Sequence, residues 1–242
     1  MQQSVQHQMM GYDRASIVFS PDGRLLQVEY AKKAVEQGTL ALGMVCRDGV
    51  VLIADKRLVD KFIVPKSVEK VFQVDDHIAA TATGYLMDGR VLIERAQLMA
   101  QQHKVTYDNP IETVELVKEI SDLKQMYTQF GGARPYGVSI LFAGIDEEGP
   151  KLFETEPTGI YFGYLAAAIG ESEAEAEDIL RKEYNQEMPV EDGARLGIKI
   201  LKKVLARDFA VERVDGCILR TPKRKFERLT PEQVEKISKT IK

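Results

Sequence analysis

Apolar periodicity along this chain changes in blocks. Short runs rich in β-branched residues come first, then two long helical stripes, a second group of short runs, and helices again. A doubly wound parallel sheet needs strands and helices to alternate, so this order predicts two stacked, mostly antiparallel sheets between helix layers. The expected class is α+β, a four-layer αββα sandwich. At 242 residues, 44% of them hydrophobic, the chain can fill one such core, and a single domain over 12–242 is expected.

The first strand pair, 39–46 and 50–55, flanks Arg47, Asp48 and Gly49, a hairpin signal. A second pair covers 70–74 and 77–83. Ahead of both, Ser20 as cap, Pro21 at the first helical position and Asp22 near the positive end predict a helix over 20–38. Its buried face is Leu25, Val28, Ala31 and Val35, and Gly38 is its left-handed stop. Helices are expected at 86–103 and 110–127. The latter opens on a capping box of Asn109, Pro110 and Glu112, with a stripe of Ile111, Val114, Val117, Ile120, Leu123 and Tyr127. Strands at 136–144, 151–154 and 160–169 follow, then helices at 172–185 and 190–207, a strand at 214–220 and a last helix capped by Thr230, Pro231 and Gln233.

Composition removes several classes of function. Thirty-three Lys and Arg against 37 Asp and Glu leave a net charge of −4, without the basic excess of a nucleic-acid binder. The basic run Lys223, Arg224 and Lys225 reads as a solvated turn. Cys46 and Cys217 form no CxxC pair, and His7, His77 and His103 are scattered, so neither a metal nor another cofactor is expected. Residues 1–11 are polar and Gln-rich, without the cationic start and apolar run of a secretory signal, and no segment is apolar enough to span a bilayer. A cytoplasmic protein with a flexible N-terminal segment at 1–11 is expected.

Several runs, in order, resemble proteasome α subunits. They are Tyr12-Asp13-Arg14, Phe19-Ser20-Pro21-Asp22-Gly23-Arg24-Leu25 and Gln27-Val28-Glu29-Tyr30-Ala31, followed by Ala54-Asp55-Lys56-Arg57, Val68-Glu69-Lys70, Gly131-Gly132-Ala133-Arg134-Pro135-Tyr136-Gly137 and Ala168-Ile169-Gly170. The match extends from residue 12 to about 200 and looks most like the archaeal members. The resemblance implies the N-terminal-nucleophile hydrolase sandwich and a heptameric ring of identical α subunits stacked on β subunits. Departures are Tyr85 where the family often has leucine, Lys32 where it has arginine, Gly89 for alanine and Leu165 for lysine.

In the catalytic β subunits an N-terminal threonine is the nucleophile and its free α-amine the base, and the resemblance places Thr39, Asp55 and Lys70 at the three catalytic positions. An amide nitrogen has no basic lone pair, and Thr39 follows an amphipathic helix, so the expectation is a non-catalytic subunit with no catalytic residue. The alternative is a self-processed hydrolase with Thr39 as nucleophile. Asp55 and Lys70 would otherwise form a structural ion pair, or Lys70 would be a solvated surface lysine. The resemblance further implies that Lys70, Gly38, Lys32 and Tyr85 line a pocket for the C-terminal tails of activator ATPases. An ammonium at its mouth would attract a terminal carboxylate. It also implies that Tyr12, Asp13, Pro21 and Tyr30 anchor a gate segment, and that Gln129, Phe130, Gly131 and Gly132 line the pore through which unfolded substrates pass.

Overall fold

The computed structural model describes residues 11, 15, 17–57, 60, 62–221 and 223–241. Strands β1 (Ala41–Cys46), β2 (Gly49–Asp55), β8 (Ala166–Ile169), β9 (Val214–Arg220) and β10 (Lys225–Arg228) form one antiparallel sheet in the order β10-β9-β2-β1-β8. The second runs β3-β4-β5-β6-β7, from β3 (Val71–Asp75), β4 (Ile78–Gly84), β5 (Val138–Asp146), β6 (Gly149–Thr155) and β7 (Tyr161–Gly163). Helices α2 (Leu86–Tyr107) and α3 (Thr113–Gln129) cover the second sheet, while α4 (Glu173–Glu183), α5 (Val190–Leu205) and α6 (Pro231–Thr240) cover the first. The result is the expected αββα sandwich.

Strict alternation inside the strands assigns each side chain to a layer. Ala41, Val45, Val50, Leu52 and Ala54 meet Ala79, Leu141, Ala143 and Ile145 between the sheets, while Leu42, Met44, Val51 and Ile53 face α5 and its neighbours. Both faces are covered, so these strands read as continuous apolar runs. Each buried Val, Leu or Ile contributes about 1.5–3 kcal/mol.

The first helix differs from expectation at both ends. Helix α1 spans Leu26–Glu36 and buries Leu26, Val28, Ala31 and Val35. Ser20 to Gly23 instead form a tight turn, with the Ser20 and Gly23 amides donating to Arg24 and Ser20 carbonyls, since Pro-Asp-Gly suits a turn as well as a helix start. Nor is Gly38 left-handed. A Cβ there would lie 2.7 Å from Thr83 Cγ2 and collide with the Gly84 backbone, so its missing side chain permits close approach. Gly89 acts likewise: a Cβ would meet that of Ala82 at 2.8 Å, so α2 seats on β4.

The capping box at Asn109 is also absent, because Asp146 reaches across from β5 and accepts from Thr113 N at 3.1 Å and Thr113 Oγ1 at 2.6 Å. Val114 is therefore exposed, and the inner face of α3 includes Ser121 and Lys124. Residues 160–169 do not form one strand: the chain leaves one sheet after Gly163 and joins the other at Ala166. Lys225 belongs to the unanticipated edge strand β10. The capping box of Thr230 and Gln233 forms as read.

Lys124 is fully buried, and its Nζ donates to Thr155 O at 2.8 Å. Burial lowers its pKa to about 7, opposed by the charges of Glu154 and Glu156. The unfolded chain, with its lysine near the ordinary 10.5, binds the additional proton above about pH 7, so this site's contribution to stability rises from about pH 7 towards 10.5. Glu154 is raised to about 7, chiefly by burial, and its effect is spent below that window. Lys124→Met is expected to flatten the rise in unfolding free energy between about pH 7 and 10, an effect on the order of a few kcal/mol, measurable by urea titration.

Candidate functional site at the mouth of the sandwich

Thr39, Asp55 and Lys70 converge where the two sheets open at one end. Thr39 precedes β1, Asp55 ends β2, and Lys70 precedes β3. Two threonines of β4 tie them to one wall: Thr83 Oγ1 donates to Thr39 O at 3.0 Å, and Thr81 Oγ1 donates to Lys70 O at 2.9 Å. The Asp55 amide donates to Leu40 O at 2.9 Å, closing the group.

The charges pair differently from expectation. Asp55, 1% exposed, is held by Arg213, with Nε to Oδ1 at 2.9 Å and Nη2 to Oδ2 at 2.7 Å. Among the described residues Lys70 has no ion pair within 4.0 Å, so the expected Asp55–Lys70 pair does not form. Nor is Lys70 a solvated surface lysine, being 3% exposed. Burial lowers its pKa to about 8, with Asp55 opposing and the Arg57 charge adding to the fall. Arg57 in turn pairs with Glu171, whose amide donates to Gly38 O at 2.7 Å.

The implied pocket residues do not all meet within one chain. Gly38 packs on Thr83 and Gly84, and Tyr85 follows at once, its ring 5.6 Å from the Arg134 guanidinium and against Gly137. Arg134 holds Asp88 by a two-point bond at 2.6 and 2.7 Å, and Asp88 also accepts from Gly137 N at 2.9 Å. Lys32 lies apart, 2.6 Å from Glu156 in an acidic cavity with Glu154, Glu173 and Glu177.

Of the gate residues, Tyr12 and Asp13 lie outside the described residues. Pro21 sits exposed in the Ser20–Gly23 turn, and Tyr30 is half-buried on α1 with Lys33 Nζ 5.9 Å from its ring. Gln129 ends α3, and Phe130, Gly131 and Gly132 form an exposed turn. An open cavity of about 440 Å³ brings Ala15, Ile17 and Gln27 against Gly131, Gly132 and Arg134. The segment before α1 thus passes beside the glycine turn.

Sequence reading missed Arg213, and no local signal marks it, since its partner is 158 residues away. Cys46 and Cys217 are buried thiols, Cys46 pushed up to about 12 by burial. His77 bonds Ile111 O at 2.9 Å and His103 bonds Asn109 O at 3.2 Å, while His7 lies outside the described residues. Among the described residues no group of three or more His, Cys, Asp or Glu is arranged to hold a metal, and no helix is long and apolar enough to cross a membrane.

Chemically, the mouth offers a threonine hydroxyl without a base, because the nitrogen of Thr39 is an amide joined to Gly38 and a docked helix. If the chain stays whole, intact mass of the purified protein will match all 242 residues. A species shortened by 38 residues at its start overturns that reading.

Comparison with known proteins places this geometry. A family model described as proteasome subunit matches residues 35–219, and a second, described as the N-terminal signature of A-type proteasome subunits, matches residues 12–34. The chain is 47% identical over 226 residues to the proteasome alpha subunit of Thermococcus sibiricus, covering 93% of this chain and 86% of the relative. The alpha subunit of Methanocaldococcus jannaschii is 46% identical over 230 residues, covering 95% and 88%. That of Archaeoglobus fulgidus is 44% identical over 226 residues, covering 93% and 92%. A sandwich whose mouth threonine stays behind a docked N-terminal helix, joined to these matches along nearly its whole length, makes this chain a member of the proteasome subunit family that carries the α-type N-terminal signature.

Proposed function

We propose that the chain is a non-catalytic subunit of a cytoplasmic proteasome core. Seven copies form an outer ring that sits on β subunits, narrows the entry for unfolded proteins, and docks activator ATPases by their C-terminal tails. The observation that carries this reading is the packing of a helix on the body directly ahead of Gly38 and Thr39. Helix α1 buries Leu26, Val28, Ala31 and Val35 on the body, so it behaves as part of the fold and not as a disposable leader. The self-processed alternative would have to strip away that buried face.

Gating needs a polar plug on a stiff anchor. Residues 1–10 contain Gln at four positions and no acidic or basic side chain except His7, and the anchor is the turn before α1 beside the Gly131–Gly132 loop. Docking needs a cation without an internal counter-ion, and among the described residues Lys70 has no ion pair within 4.0 Å. It lies just below the surface, 3% exposed.

Removing residues 1–12 is expected to speed hydrolysis of an unfolded protein by particles rebuilt with active β subunits, and an unchanged rate overturns the plug. Lys70→Ala is expected to weaken activator docking at least about tenfold, as loss of a partly desolvated ion pair implies, with sevenfold rings still visible by electron microscopy. Equal docking by both versions removes the pocket.

A further inference from the structure

The carboxylates near Lys70 in sequence or space are each held by an arginine, two of them by the same one. Asp55 on β2 is held by Arg213, and Glu171 by Arg57. Asp215 on β9 accepts from Arg228 at 3.0 and 3.2 Å and from the Lys70 and Val71 amides at 2.9 and 3.0 Å. Glu69 lies 3.3 Å from the same Arg228. Lys70 is left as the buried cation of this cluster with no ion pair among the described residues. Asp55 is the carboxylate whose charge acts on it most strongly, so the state of Asp55 decides whether the ammonium is available.

We infer that Arg213 is a positioning residue for the docking site: by occupying both carboxylate oxygens of Asp55, it keeps the Lys70 ammonium free for a carboxylate supplied from outside. The inference rests on the docking role proposed above and adds the residue that makes it possible. Arg213 is suited to the task. Its side chain is 14% exposed, its planar fork meets Asp55 at two points, and Nη1 donates to Asp208 O at 3.0 Å, so the guanidinium is fixed from two sides. Lys56, the other cation next to Asp55 in sequence, is committed to Pro65 O at 3.0 Å.

Without Arg213, Asp55 would be a buried carboxylate with no partner, a costly state that is relieved by taking Lys70. The lysine would then hold its proton more tightly, and an incoming carboxylate would have to displace Asp55. Burial places Lys70 near 8 in the intact chain, so docking is expected to fall as pH rises through about 8. In Arg213→Ala that fall should move to higher pH, even though docking at neutral pH is weaker. Removing both members, in Arg213→Ala with Asp55→Asn, takes away the carboxylate that would hold the proton on Lys70, so the upward move should be lost.

The test uses assembled rings of the full chain with carbon-13 in the lysine side chains, the Lys70 signal being identified by its loss in Lys70→Ala. One readout is the titration midpoint of that signal. The other is fluorescence anisotropy of a labelled Gly-Ser-Ala-Leu-Tyr peptide with a free C-terminus, compared with its C-terminal amide. In Arg213→Ala the midpoint should rise by about one pH unit, with about tenfold weaker binding of the free acid and no change for the amide. In the double variant the midpoint should lie no higher than in the intact chain, and binding of the free acid should recover relative to the single variant. A midpoint unmoved in Arg213→Ala overturns the inference, as does a double variant as impaired as the single one, which marks the loss as general damage. If the acid binds no better than the amide, or Lys70→Ala binds it equally well, the docking role falls, while a shifted midpoint still establishes what Arg213 does to Lys70.

Discussion

Between Gly38 and the backbone of Gly84 there is no space for a side chain, and that contact sets the geometry of the mouth. It presses the end of α1 against the end of β4, where Thr83 bonds Thr39 and where Tyr85 opens α2. The Gly38 carbonyl is bonded on its other side by the Glu171 amide. A peptide clamped this way holds the threonine in place while denying it a free amine. The same contact therefore seats the N-terminal helix and fixes the position of Thr39 at the mouth.

Electrostatics at that mouth follow from burial. A carboxylate as enclosed as Asp55 needs a partner, and a guanidinium meets two oxygens where an ammonium meets one. Arg213 takes Asp55, and Lys70 is left buried with no ion pair among the described residues. A buried cation of that kind adds little to stability. Stability is supplied elsewhere, by three apolar layers that fill the space between and outside the sheets.

Much of the architecture was legible because the central strands β1, β2, β4, β5 and β9 are buried on both faces and appear as near-continuous apolar runs, and because hairpin and cap signals lie close together in the chain. The β1–β2 hairpin and the Thr230 box needed only neighbouring residues. The misreadings share one cause. At Asn109 a local cap lost to Asp146, a partner 33 residues from Thr113. At Ser20 a sequence suited both to turn and helix resolved as a turn. Through 160–169 one apolar run was divided between two sheets, a choice periodicity does not encode. The burial of Lys124 has no local signal, because its acceptor, Thr155 O, belongs to another element.

The family, the layer order, the helix that precedes the threonine and the trio of Thr39, Asp55 and Lys70 came from the sequence alone, since each is written in contiguous residue types or in ordered motifs. Only the tertiary structure decided which charges pair, which lysines are buried, and why Gly38 and Gly89 lack side chains. Ion pairing and close packing depend on distances between segments far apart in the chain, and no local pattern carries those distances.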